Sequence, residues 1–246
     1  MVDYSGVLAK LERAKTHADE FAYLAASFLR RHPYRVLQKL DFEEEQFGFD
    51  VTLKEALPST LPVALGDAVH NLRSTLDYLI SANAHANGKT FRDTKFLIAR
   101  DSASFEARVH DSLRKAGPTV IEVCRALRPY PGGNNTLWEL HELDLRDKHQ
   151  LLLTAAAAGE LGKRYIEREG KAEHSVSDAV YFLGAETQFV PAPAGYEYDT
   201  PFEIGISLDI VFPANTPLAG IPCLPKLDEM IDVVSAIVRQ FHDSCP

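Results

Sequence analysis

The chain is poor in cysteine. Cys124, Cys223 and Cys245 are its only three, and no two stand at CxxC spacing. That argues against a disulfide framework and a thiolate zinc site, and it fits a reducing cytoplasm. The N-terminal "MVDYSGVLAK" lacks a basic segment followed by an apolar core, so no signal peptide is expected. No run approaches the roughly 20 apolar residues that span a bilayer, and no membrane partner is expected. Lys and Arg form no long run and the net charge is −9, so the overall field works against a nucleic-acid partner, which would need a local basic patch. The phosphate-loop GxxxxGK[ST], the dinucleotide GxGxxG, the nucleophile elbow GxSxG and the zinc-binding HExxH are all missing. No cofactor is expected and no metal is assigned.

What is present is an ordinary soluble composition. The 246 residues are 46% hydrophobic and 25% charged, enough for a real core. A long helix is expected over about residues 4–30, where Tyr4, Val7, Leu11, Ala14, Ala18, Phe21, Ala25 and Phe28 repeat in steps of three and four. This seam serves the chain's own core or, alternatively, a homodimer. "HPYRVLQKL" and "FGFDVTLKEA" predict a β-hairpin at 34–54 with the acidic "DFEEEQ" at its tip. "LPSTLP" offers Ser59 or Thr60 as a cap for a helix running from about 61 to 86. After a loop containing "KFLIAR", helices are expected at 102–115 and at 118–128, the second with Pro118 in its first turn. "RPYPGGNN" breaks the chain before a helix from Thr136 to about His149. Beyond residue 150, "LLLTAAAA", "KRYIERE", "AVYFLG", "TQFVPA" and "FEIGISLDIVF" read as strands, and "LPKLDEMIDVVSAIVRQFHDS" as a terminal amphipathic helix. The fold class is α+β: a central helical bundle with a long N-terminal helix and a hairpin, a mostly antiparallel sheet after residue 150, and a C-terminal helix. The expected organisation is a single domain over 1–246, mainly helical over 1–149 and strand-rich over 150–246.

Two helices carry the chemistry. On a wheel of about 100° per residue, Leu65, Val69, Leu72, Leu76, Leu79 and Ile80 form the apolar stripe of the 61–86 helix. Asp67, His70, Asn71, Ser74, Asp77, Tyr78 and Ser81 gather opposite, with Arg73 at the margin. A solvated face usually carries Lys and Glu; this one carries short, directional groups instead. In "TLWELHELDLRDKHQLLL", His141, Asp144 and Lys148 share a side with Leu137, Leu140 and Leu151, which draws three ionisable groups inward. Buried charges must be paired or cost several kcal/mol each, order of magnitude. Asp144 can pair with Lys148 at i,i+4, and Asp67, His70, Arg73 or Asp77 can supply the other partners. Trp138 reads as a packing anchor and Cys124 as core.

"GDAVHNLRSTLDYL" and "LWELHELDLRDKH" resemble an uncharacterised bacterial family whose members carry a GDxxHNLRSALDHL helix and a later LHELDxxDKHR helix. The resemblance covers about residues 1–155 and implies no function. A weaker one is to HEPN domains, helical bundles of RNases and toxins, whose motif sets a His four to six residues after an Arg. The family's RSALDH would satisfy it. Here "RSTLDY" puts Tyr78 in the place of that His, and tyrosine is a poor acid–base group near neutral pH. Arg168 and His174 have the spacing, but Gly170 lies between them in a strand-rich region.

Three functions follow as expectations. In the first, Asp67, His70, Arg73, Asp77, His141, Asp144, Lys148 and His149 line a pocket for a small anionic ligand, with Arg73 and Lys148 as its cations, or close into a buried structural network. In the second, a HEPN-like or metal-assisted hydrolase cleaves a phosphodiester, with Arg73 stabilising charge and His70 or His149 moving protons. Asp67, His70, His141 and Asp144 would be the metal's N and O ligands. In the third, the protein is a non-catalytic interaction module acting as a dimer through its N-terminal helix.

Overall fold

A computed structural model describes residues 2–41, 46–90, 92–149, 155–161, 166–168, 171–173, 181–183, 188–191 and 206–245. The elements run α1 (Ser5–Leu29), β1 (Tyr34–Asp41), β2 (Gln46–Leu53), α2 (Thr60–Ala86), α3 (Ser102–Leu113), α4 (Pro118–Leu127) and α5 (Asn135–His149). Then come β3 (Ala155–Leu161), β4 (Ile166–Arg168), β5 (Lys171–Glu173), β6 (Tyr181–Leu183), β7 (Gln188–Pro191), β8 (Ile206–Val211) and α6 (Cys223–Ser244). The chain is therefore α+β, and among the described residues every strand pair is antiparallel.

The chain divides into two compact units that do not follow sequence order. The helical unit takes residues 1–22, 62–152 and 224–246, and the strand unit takes 23–61 and 153–223. Within the strand unit, β1 pairs with β2 in register from Tyr34↔Leu53 to Asp41↔Gln46, as a hairpin at 34–54 requires. The hairpin tip, residues 42–45, lies outside the described residues. Sequence order alone would leave this hairpin with the helices that follow it. Instead β2 pairs with β7, through Gly48↔Pro191 to Val51↔Gln188, so the hairpin belongs with the later strands. A second sheet has the order β6-β3-β8, and β4 pairs with β5. Residues 171–173, which carry no apolar alternation, were not expected as a strand; their cross-strand partners make them one.

The helical unit is built on α1, α2, α5 and α6. Tyr4, Val7, Leu11, Ala14, Ala18 and Phe21 are all buried, so the α1 seam is core here, and Ala25 and Phe28, in the part of α1 that belongs to the strand unit, are buried too. The periodic stripe of α2 behaves alike: Leu65, Val69, Leu72, Leu76, Leu79 and Ile80 are each fully buried. Pro118 stands in the first turn of α4, where its missing N–H costs nothing, and Arg128 ends that helix in the left-handed conformation. Cys124 is wholly buried, and burial pushes its thiol up to about 12, so it packs as a small apolar side chain. Among the described residues, no helix is long and apolar enough to cross a membrane.

Three helices meet at Tyr4. Its hydroxyl donates to the Cys245 carbonyl at 3.1 Å, and the Asn83 amide donates to the hydroxyl at 3.1 Å. Desolvation raises the pKa of the Tyr4 phenol above its ordinary value, keeping the donor proton in place. Tyr4→Phe is expected to lower stability by about 1–2 kcal/mol in urea denaturation, because it leaves a buried carbonyl without its donor.

Candidate functional site

The polar edge of α2 does not converge on one pocket. It does three separate jobs, each set by its place on the helix.

The first job is to hold a buried stretch of non-helical chain. Phe96, Leu97, Ile98 and Ala99, at the heart of the "KFLIAR" segment, are all buried although they belong to no helix or strand. Buried backbone must find hydrogen-bond partners. Arg73 donates to Asp77 Oδ1 at 2.7 Å and to the Phe96 carbonyl at 2.9 Å, and the same Asp77 oxygen accepts the Phe96 N–H at 2.8 Å. Ala99 N–H reaches the Pro129 carbonyl at 3.0 Å, which ties the segment to the "RPYPGGNN" turn. Only glycine fits at 133 in that turn, since a Cβ there would collide with the Arg128 carbonyl. Arg73 is just 6% exposed, so its charge is committed to this clamp.

The second job is docking α5. Gly66 leaves room for the Asp147 carboxylate, which a side chain at 66 would strike. One turn along, His70 Nδ1 lies 2.9 Å from Asp144 Oδ1. Asp144 is 1% exposed and the His70 side chain 47%, so the imidazole bridges a buried carboxylate to water. In the pairing of an ionised carboxylate with a neutral imidazole, the proton lies on Nδ1 and Nε2 is left to accept. Nε2 in turn lies 3.4 Å from Ser74 Oγ.

The third job is contact with α1. Lys10 Nζ donates to Asn71 Oδ1 at 3.1 Å, and His17 Nδ1 lies 3.9 Å from Asp67 Oδ2, whose side chain is 53% exposed. Asp67 is thus on an exposed part of α2, beside His17 of α1. Lys148 and His149 fall in the last turn of α5, and their side chains lie outside the described residues, as does the Asp144–Lys148 pair. Residue His174, of the Arg168 spacing, lies outside them too. Among the described residues, no three His, Cys, Asp or Glu side chains gather as metal ligands, so Asp67, His70, His141 and Asp144 do not assemble as a set.

One residue of the predicted group, His141, lines a cleft of about 430 Å³. Its other walls are Ile98, Ala99 and Arg100 from the clamped segment, Ser104 and Arg108 from α3, and Trp138 and Glu142 from α5. Trp138, expected as a packing anchor, is half-buried at this wall, more than a third of a turn round from the middle of the Leu137–Leu140 stripe at about 100° per residue. Asp101 caps α3 by accepting the Ser104 N–H at 2.6 Å, and that bond holds its carboxyl below the ordinary range. Arg100 leans back on its neighbours, with Nε 3.1 Å from Ser104 Oγ and 3.2 Å from Asp101 Oδ2. Arg100 and Arg108 escaped notice in the sequence because a surface arginine has no periodicity to mark it. The usable signal was "ARDS", an arginine beside a helix cap.

On the far side of α5, Lys226 sits between Glu139 at 2.6 Å and Glu229 at 3.0 Å. Burial works against the Lys226 charge, but the two carboxylates outweigh it and raise its pKa. Thr136 also donates to Glu229, so α5 and α6 are joined by a four-residue polar knot. Comparison with protein-family models, curated proteins and solved structures gives no match to this chain.

If the His70–Asp144 contact docks α5, the two side chains must be energetically coupled. A double-mutant cycle with His70→Gln and Asp144→Asn is expected to give about 1–2 kcal/mol of coupling by urea denaturation, against near-zero for residues that do not interact.

Proposed function

We propose that the protein binds a small anionic ligand in the cleft between α3 and α5. The observation that carries this reading is a cleft of about 430 Å³, a size suited to a small molecule, whose walls include Arg100, Arg108, His141 and Trp138, with both arginines open to solvent at its edge. Two guanidinium groups supply forked donors that match carboxylate and phosphate oxygens. Trp138 adds a flat apolar wall, and Glu142 offers an acceptor for a hydroxyl or amine elsewhere on the ligand. The cations differ from those expected: Arg73 serves the buried segment, and Arg100 and Arg108 take its place. Arg73 and Asp77 contribute indirectly by fixing the strand of chain that presents Ile98, Ala99 and Arg100. The bacterial family, the HEPN-like hydrolase and the dimer gain no supporting observation from this arrangement.

Trp138 is the only tryptophan in the chain, so tryptophan emission, excited to the red of tyrosine absorption, reports on this cleft. Titration with inorganic phosphate, citrate and adenosine monophosphate is expected to give a saturable change with at least one of them. Arg100→Ala with Arg108→Ala should weaken that binding about tenfold or more, as loss of charge-assisted bonds implies. No saturable change with any of the three, or affinity unaltered in the double variant, contradicts the reading.

A further inference from the structure

The relay on the outer edge of α2 is chemically distinct from the cleft and does not rest on it. The geometry points to Ser74 as a nucleophile for acyl transfer, with His70 as its general base and Asp144 as the residue that positions His70, acting on small carboxylic esters.

Four observations support it. Ser74 Oγ lies 3.4 Å from His70 Nε2, and His70 Nδ1 lies 2.9 Å from Asp144 Oδ1. The order hydroxyl, imidazole, buried carboxylate is what activates a serine, since the carboxylate fixes the tautomer whose Nε2 can take the hydroxyl proton. The longer first contact is within the range that tightens when substrate arrives. Second, burial grades along the relay: Asp144 is 1% exposed, His70 47%, so the base meets solvent while its orienting group does not. Third, a cation lies on the face of α2 next to the serine. Lys10 Nζ bonds Asn71 Oδ1 at 3.1 Å and stands 5.9 Å from the Tyr78 ring centre. Asn71 and Tyr78 are the neighbours of Ser74 at i−3 and i+4 on the helix face, so the ammonium is set over the same turn. It would stabilise the negative oxygen that forms on attack. Fourth, Tyr78, one turn along the helix from Ser74, lines a cleft of about 450 Å³ with Asp3, Gly6, Val7, Ser81 and His85; Ser74 and His70 are not in its walls, so it offers a seat for the distal part of a substrate rather than for the reacting ester.

The steps balance. Ser74 Oγ bonds to the ester carbonyl carbon as its proton passes to His70 Nε2, giving a tetrahedral oxyanion facing Lys10. The carbon–alkoxide bond breaks, the alkoxide takes the proton from Nε2, and alcohol leaves an acyl-Ser74. Water then repeats the sequence, its proton going to Nε2 and on to Ser74 Oγ as the acid is released. Ester and water become acid and alcohol, with no other reactant.

The test uses the full chain with diisopropyl fluorophosphate and p-nitrophenyl acetate. The fluorophosphate should form one adduct, an Ser74 Oγ–P bond with loss of fluoride, located by peptide mass mapping. Ser74→Ala should abolish the adduct and lower kcat for the acetate by at least about 100-fold. Asp144→Asn should lower kcat comparably with KM unchanged when rates are taken per folded molecule, so that loss of folded protein does not imitate the effect. Ser74→Ala removes one hydroxyl from a half-buried position and leaves the fold intact, so its result decides even where Asp144→Asn is unstable. Absence of the adduct, an adduct on another residue, or hydrolysis by Ser74→Ala within about twofold of the unaltered chain overturns the inference.

Discussion

The helical unit has to bury a piece of chain that has no helix or strand to satisfy its backbone, and the Arg73–Asp77 clamp is how it does so. Residues 96–99 fill the core with Phe, Leu, Ile and Ala, each 7% exposed or less. An unpaired N–H or carbonyl at that depth costs about 1–3 kcal/mol. Two side chains one turn apart on α2 meet both polar groups of Phe96, and they also neutralise one another. Removing Asp77 would strand the buried Arg73 charge together with the Phe96 N–H, and removing Arg73 would leave the Phe96 carbonyl without its donor. The wall of the α3–α5 cleft is the continuation of this segment, so the candidate ligand site inherits its shape from the clamp.

Along α2, charge is deployed by angle. Arg73 and Asp77 border the apolar stripe and turn inward to the segment. His70 lies slightly further round and meets α5. Asp67, Asn71 and Tyr78 lie further still, beside α1 or in water. Asp, Asn, Ser and His lose less rotamer freedom on ordering than Lys and Glu would, and Arg73, the long side chain of the set, is the one held by two strong bonds. Gly66 completes the pattern by letting the Asp147 end of α5 come close. The directional composition of this face is therefore a consequence of its having three different neighbours.

That composition was readable in part. The leucine spacing around Asp144 signalled a buried carboxylate, whereas the absence of Lys and Glu on the polar face of α2 did not mean the absence of water, since Asp67, His70 and Tyr78 there are exposed. Helix bounds followed from apolar periodicity and from Pro118, and the hairpin from alternation in "FGFDVTLKEA". What could not be read was which partner each group would find. His70 and Asp144 do meet, but Arg73 turns to a backbone carbonyl in a stretch that looked like an ordinary surface loop. A side chain's apolar context is visible in one sequence; the unsatisfied backbone group it must serve is created only by packing. The pairing of β2 with β7 was hidden for a similar reason, since strand partners separated by more than a hundred residues leave no local trace. Arg100, Arg108 and Trp138 became a site only when α3 and α5 placed them round one cavity.

The clamp makes one backbone amide unusual. Phe96 N–H sits in non-helical chain, yet it is bonded to a carboxylate held by a buried arginine. Residue-resolved hydrogen exchange at Phe96 tests this most directly. Protection comparable to the buried amides of α2, lost when Asp77 is replaced by alanine, is the predicted result. Exchange at Phe96 as fast as in an open loop would mean that the segment is not clamped, and the account of the core and the cleft would fail with it.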